Sequence, residues 1–415
     1  MTFLELSTLL IVVAAGFAAL NAIFIKLPAA IGVLAITLGF SVLLLAVDGF
    51  APGFGIEASA ASAATAMAFD TTLLEGMLGL LLFAGALHVK VEELRQKLPV
   101  VLLMASLGVA ISTLVIGSAF SVITGIPLLV ALVFGAIITP TDPVAVLGVL
   151  KTAGVNKSLE TKIAGESLFN DGVAYVVFLL LVALAFQATD AHGDHATAMS
   201  ATSGLTLFVQ EAFGGAVLGA LLGWLTFRIM RAIDDYAVEI LLTLALVMGG
   251  YMLSLKLHVS APIMAVMAGL FIGHVGMSGG MSEKTRTHVD TFWRIIDEVL
   301  NIVLFLMIGI EVFAIEFSSP ILAFGAVAIL LSLLGRFLAV SIPVMMMKPF
   351  ISFSKGAIPI LTWGGIKGGI SIALALSLPE GPHKELILGA TYIVVIFSII
   401  VQGLTIAPFA RRIAK

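Results

Sequence analysis

Hydrophobic positions in this 415-residue chain do not alternate with polar ones but run together in long blocks broken by short polar connections. A block of about 20 apolar residues, wound as a helix, matches roughly 30 Å of hydrocarbon. Thirteen blocks of that kind can be counted, near 4–24, 27–47, 69–89, 99–123, 126–150, 161–187, 204–230, 236–256, 260–276, 298–315, 320–347, 357–379 and 385–410. The connections 48–70 and 188–204 are rich in small residues and too short for a folded soluble domain. The pattern predicts an all-α polytopic membrane protein forming one membrane unit over residues 1–415.

Composition removes several alternatives. Hydrophobic residues make up 60% of the chain and charged residues 11%, against roughly 25% charged in a soluble domain. Cysteine is absent, which excludes disulfides and thiolate metal sites. The net charge of −4 points to no charged partner, and no Walker motif, paired zinc ligands or Gly-x-Ser-x-Gly elbow occurs. Membrane lipid is thus the expected partner, with no nucleic acid, no nucleotide and no cofactor. The first block lacks the basic start of a cleaved leader and reads as the first span.

Basic residues test the span count. Lys and Arg of short loops collect on the cytoplasmic side. Arg336 and Lys367 fall inside blocks; of the other 19 basic residues, 17 lie on one side if all thirteen blocks cross, and only Lys256 and Lys384 lie on the other. A missed or invented span would invert every later loop and destroy this alternation. The expected topology therefore has the N-terminus outside and the C-terminus in the cytoplasm.

An odd count with opposite ends suits an inverted repeat, the device by which many transporters place a site at the bilayer midplane. Spans 1–6 (residues 1–187) and 8–13 (236–415) would be the halves, with span 7 (204–230) as linker. The fifth span of each half is interrupted: "GAIITPTDPVAV" carries Pro140 and Pro143, and "GGIKGGISIA" surrounds Lys367 with glycines. Lacking an N–H, Pro140 would free the carbonyl of Ala136 and Pro143 that of Thr139, and a desolvated cation needs oxygen ligands of that kind. Asp142 and Thr141 add a carboxylate and a hydroxyl. Breaking a helix also creates a positive N-terminal and a negative C-terminal end at midplane, which Asp142 and Lys367 could offset. A lone proline would merely kink a helix; TPTDP matched by GGIKGG argues for a site.

The sixth span opens with "GESLFNDGVAYVVF". Glu166 and Asn170 share one helical face, and Ser167 and Asp171 the face about 100° round. An Asp this deep costs roughly 2.5–3.5 kcal/mol to insert, so such residues face cavities and mark ion or proton paths. A carboxylate there needs a counter-charge, and a proton and a metal cation are the two candidates. Arg336, in "LLSLLGRFLAV", is the one arginine stranded deep in an apolar run, and a buried guanidinium calls for a carboxylate. Pairing it with Glu166 leaves Asp171 and Asp142 for transport. Glu75 is the remaining span acid best placed to draw cations into a cavity. Gly215, Gly219 and Gly223 form a small-residue face that reads as close helix packing.

These three stretches, in this order, resemble the diagnostic stretches of the NhaP-type and eukaryotic sodium/proton exchangers, the Asn-Asp branch of the monovalent cation:proton antiporters. The resemblance runs over nearly the whole chain. It implies an antiporter fold of two inverted six-helix repeats with two crossing discontinuous helices, a core domain of spans 4–6 and 11–13, and a homodimer. It also implies that Asp171 carries cation and proton in turn, that Asp142, Ser167 and the Thr141 backbone are further sodium ligands, that Asn170 steadies Asp171, and that Glu166 pairs with Arg336. Relatives with Asn at the place of Asn170 exchange one sodium for one proton without net charge. Two departures stand out: Lys367 replaces the arginine of many relatives, and Ala84 lies where several carry an acid. The expected activity is Na+ or Li+ exchange for H+, electroneutral and by alternating access, in a bacterial inner membrane. K+/H+ exchange or proton-coupled solute transport is the rival within transport; an intramembrane enzyme or a membrane scaffold is the rival outside it.

Overall fold

The computed structural model describes residues 3–50, 62, 68–89, 91–142, 146, 157–186, 201–274, 282–315, 317–351, 353 and 356–413. Among these residues all the regular secondary structure is helical, without strands. Two helices open it, α1 (Phe3–Leu20) and α2 (Ala29–Phe50). A π-turn at Thr72–Met77 runs into α3 (Leu78–Leu87), and a second at Met104–Gly108 joins α4 (Val91–Leu103) to α5 (Val109–Thr124). There follow α6 (Leu128–Ile138), α7 (Lys157–Phe186), α8 (Ala201–Met230), α9 (Tyr236–Lys256), α10 (Ala261–Phe271), α11 (Glu283–Ile310) and α12 (Ser319–Met347). The last segments are α13 (Ala357–Trp363), α14 (Gly369–Leu376), α15 (Lys384–Phe397) and α16 (Gly403–Ile413).

Nine of the described helical stretches are long and apolar enough to cross a membrane. The four expected spans outside that set each depart for a physical reason. α6 stops at Ile138 before Pro140, α10 is short, α13 and α14 are separated by the glycine-rich break, and α11 carries a charged N-terminal half. That half is continuous helix from Glu283, whereas the hydrophobic pattern alone begins the span at 298.

Local chemistry accounts for the helix starts. Asp235 caps α9 by accepting the N–H of Ala237 at 2.9 Å, and the Ser260 and Ser282 hydroxyls accept from Ile263 and Thr285 at the heads of α10 and α11. Small residues set the closest helix contacts. A methyl group on Gly135 of α6 would lie 2.4 Å from the Thr113 carbonyl of α5, so glycine lets these two backbones touch. The Gly215, Gly219 and Gly223 face of α8 packs on α10, against the carbonyls of Ser260 and Met264 and the side chain of Phe271. α12 brings the buried Arg336 to the middle of the bundle, beside the break between α13 and α14.

Candidate functional site

The site forms where two interrupted helices meet. α6 ends because Pro140 has no N–H to continue it. Thr139 N–H turns back to the Ala136 carbonyl at 3.2 Å, so that carbonyl, expected to be freed, is occupied. The Thr139 carbonyl is the one that faces new partners: Lys367 Nζ donates to it at 3.0 Å and Asn170 Nδ2 at 3.2 Å. The Lys367 ammonium thereby sits against the negative end of α6. Pro143 lies outside the described residues.

Beyond Pro140 the chain is unwound. Thr141 N–H donates to Asp171 Oδ1 at 3.2 Å, and Thr141 Oγ1 donates to Ser167 Oγ at 3.0 Å. Asp142 N–H donates to the Ile366 carbonyl at 2.8 Å, which ties the first break to the second. Gly368, the last residue before α14, lies so close to Asp142 that a methyl group there would be 2.9 Å from Asp142 Oδ2. The Asp142 carboxylate is therefore next to the positive end of α14, the mirror of the Lys367 arrangement. The loose backbone of the second break is held by the segment after α15: Lys367 N–H donates to Ser398 Oγ at 2.8 Å, and Gln402 Nε2 donates to the Trp363 carbonyl at 3.0 Å.

α7 supplies the other face. Glu166, Ser167, Asn170 and Asp171 are all buried. Arg336 grips Glu166 with both prongs, Nη1 to Oε1 at 2.6 Å and Nη2 to Oε2 at 2.7 Å, and donates from Nε to the Leu361 carbonyl at 3.3 Å. Asn170 spends its amide on the Thr139 carbonyl, on Thr141 Oγ1 at 3.3 Å and on Glu166 Oε1 at 3.4 Å. Its Oδ1 is buried and accepts no hydrogen bond.

Asp171 and Asp142 open on one cavity of about 610 Å3, a volume that includes the part continuous with solvent. Leucines of the segment around α3 and residues of α7, α11 and α14 wall it, so most of the lining is apolar. Its other acid is Asp297 of α11, with Asn301 beside it. Asp297 does not stand out in the hydrophobic pattern, because the charged half of α11 reads there as a loop, whereas Asn301 falls inside the block 298–315; their i, i+4 spacing on a helix was the signal available. Glu75, expected at the cavity, is exposed on the π-turn before α3 and does not line it. Among the described residues no three His, Asp or Glu side chains converge tightly enough to cage a metal ion. The arrangement thus offers a cation carboxylates, a hydroxyl cluster and backbone dipoles along a cavity.

The sodium/hydrogen exchanger transmembrane family model matches residues 7–412. The chain belongs to the sodium/hydrogen exchanger family. It is 45% identical to the Na(+)/H(+) antiporter NhaP of Pseudomonas aeruginosa, over 99% of this chain and 95% of that protein. It is 36% identical to the Na(+)/H(+) antiporter NhaH of Halobacillus aidingensis, over 83% and 84% of the two chains. The solved structure of the sodium proton antiporter MjNhaP1 from Methanocaldococcus jannaschii at pH 8 superposes with a TM-score of 0.74, at 20% identity, over 98% of this chain and 96% of that one. The exchanger chain thus has the antiporter fold and is a membrane transporter type, with its two broken helices meeting at Asp142 and Ile366.

Proposed function

We propose that this exchanger trades Na+ or Li+ for H+, one for one, by alternating access at Asp171. The observation that carries the reading is the setting of that carboxylate. It is buried, anchored through one oxygen by the Thr141 N–H, and open to a cavity it shares with Asp142. A backbone N–H orients the carboxylate without neutralising it, so its charge is left for a proton or a cation to balance. Ser167, Thr141 and the backbone near the break supply further oxygen ligands, the hard donors an alkali cation prefers. The names of NhaP and NhaH point to Na+ as the cation.

Electroneutral exchange is supported by how the other charges are used. Glu166 is held by Arg336, and the residue beside Asp171 is the neutral Asn170, so one carboxyl carries the exchange. Residues 1–187 and 236–415 serve as inverted halves around the linker 204–230, with the broken helices in a core that moves against the rest. A homodimer in a bacterial plasma membrane, N-terminus outside and C-terminus in the cytoplasm, completes the reading; the basic loop residues support that orientation.

Everted membrane vesicles from an antiporter-deficient strain, loaded with a pH-sensitive dye, test it. Na+ or Li+ is expected to dissipate the pH gradient at a rate independent of membrane potential. Asp171→Asn is expected to abolish the response while the protein still inserts and elutes as one species. A response to K+ alone, or an active Asp171→Asn protein, would overturn the proposal.

A further inference from the structure

The cavity holds a carboxylate on a helix other than those of the crossing. Asp297 and Asn301 project from α11, which packs beside α2, α3 and α9, whereas Asp171 and Asp142 belong to α7 and the break after α6. Along α11, Asp290, Arg294, Asp297, Asn301 and Leu304 fall at alternating spacings of four and three, so they share one face of the helix. That face runs from the charged end of α11 into the cavity, where its last three members are lining residues.

The acids on this face differ in their partners. Asp290 is bonded to Arg294 and lies 3.4 Å from His88 Nε2, at the end of α3. Asp297 is bonded instead to a neutral group: Asn301 Nδ2 donates to its Oδ1 at 3.1 Å and to its backbone carbonyl at 2.7 Å. Asn301 is 4% exposed and fixes the Asp297 side chain without cancelling its charge. Asp297 is thus an oriented charge inside a low-dielectric cavity, and such a charge raises the local concentration of a cation.

We infer that Asp297, positioned by Asn301, is an approach ligand that receives the cation on the side of the membrane where the N-terminal half of α11 lies and hands it to Asp171, on that side only. This rests on the exchanger reading above. The sidedness follows from placement, since α11 is outside the core proposed to move. Asp297 would share a cavity with Asp171 in the state seen here and lose it when the core shifts.

The test compares wild type with Asp297→Asn and Asp297→Glu, in everted and in right-side-out vesicles, by the Na+ concentration giving half-maximal exchange. Asp297→Asn, nearly isosteric, is expected to raise that concentration about tenfold from the cytoplasmic face, leave the maximal rate within twofold, and change nothing from the opposite face. Asp297→Glu should behave as wild type within about twofold. An unchanged half-maximal concentration, an equal shift on both faces, or an Asp297→Glu protein shifted as far as Asp297→Asn would each overturn the inference. Wild-type vesicles that show no Na+-driven proton movement would instead overturn the exchanger reading beneath it.

Discussion

Replacing Arg336 by alanine removes a guanidinium that is 6% exposed and strands Glu166, which is 1% exposed, with a single weak contact from Asn170 at 3.4 Å. Two short bonds to the carboxylate disappear, together with the 3.3 Å bond to the Leu361 carbonyl at the end of α13. Breaking a buried ion pair from one side costs about 3–5 kcal/mol, chiefly the desolvation of the charge left behind. In a chain of this length that lowers the melting temperature by roughly 5 °C. The measurement is thermal unfolding of the detergent-solubilised protein, followed by the fraction that still elutes as one species after heating. The double variant Glu166→Gln with Arg336→Met separates the ion pair from simple loss of packing. It removes both charges, keeps an acceptor for Asn170 and fills most of the volume, so it is expected to recover at least half of the loss. It should also retain Na+-dependent exchange, because the pair is read as scaffold and Asp171 as carrier. An Arg336→Ala protein melting within about 1 °C of wild type, or a double variant less stable than the single one, would refute the reasoning.

Gly135→Ala would place a methyl group 2.4 Å from the Thr113 carbonyl and 3.0 Å from Gly117 N, forcing α5 and α6 apart; a loss of about 1–3 kcal/mol in the same melting assay is expected. Gly368→Ala would press on Asp142, 2.8 Å from its Cβ, and is expected to raise the half-maximal Na+ concentration about fivefold, roughly 1 kcal/mol at the site. An unchanged concentration would remove Asp142 from the cation path. Lys367→Met leaves the Thr139 carbonyl to Asn170 alone and should cost about 1.5–3 kcal/mol of stability. Lys367→Arg should restore part of that loss, and a Met variant as stable as wild type would show that the ammonium does not hold the helix end.

The parts of this architecture that were legible in the sequence are those where a single residue type leaves the chain no alternative. Pro140 cannot continue a helix, and α6 ends two residues before it. Arg336, deep in an apolar run, needed a carboxylate, and the buried Glu166 accepts it with both oxygens. What could not be read is which groups take up the slack. The sequence shows that a proline frees carbonyls but not that a tightened last turn spends the Ala136 carbonyl on Thr139 N–H. Nor does spacing reveal that Ser398 and Gln402, thirty residues on from the second break, would tie its backbone down. Asp297 was hidden for a different reason. A hydrophobicity window discards the charged half of α11 as a loop, yet that half is continuous helix, and Asp297 at its inner end lines the cavity. Glu75, a lone acid in an apolar block, is exposed on its π-turn and is not among the residues that line the cavity.

The buried charges divide into two kinds, and the division itself argues for exchange. Glu166 with Arg336, and Lys367 with the Thr139 carbonyl at the end of α6, are matched by buried partners within the protein. Asp171 and Asp297 are hydrogen-bonded by neutral donors, an N–H and an amide, which fix direction without themselves supplying a positive charge. A carboxylate cannot be kept bare in a mostly apolar cavity at a cost of several kcal/mol. On the reading proposed above, a mobile positive charge occupies Asp171 in each state of the cycle, and a proton and an alkali cation are the candidates small enough to share one oxygen pair. If each excludes the other, binding of one is release of the other, and exchange needs no further coupling device than the motion that carries the carboxylate between the two faces. On the same reading Asn170 contributes by being neutral, since a second acid at that position would let a proton and a cation be held together and would change the charge moved per turn.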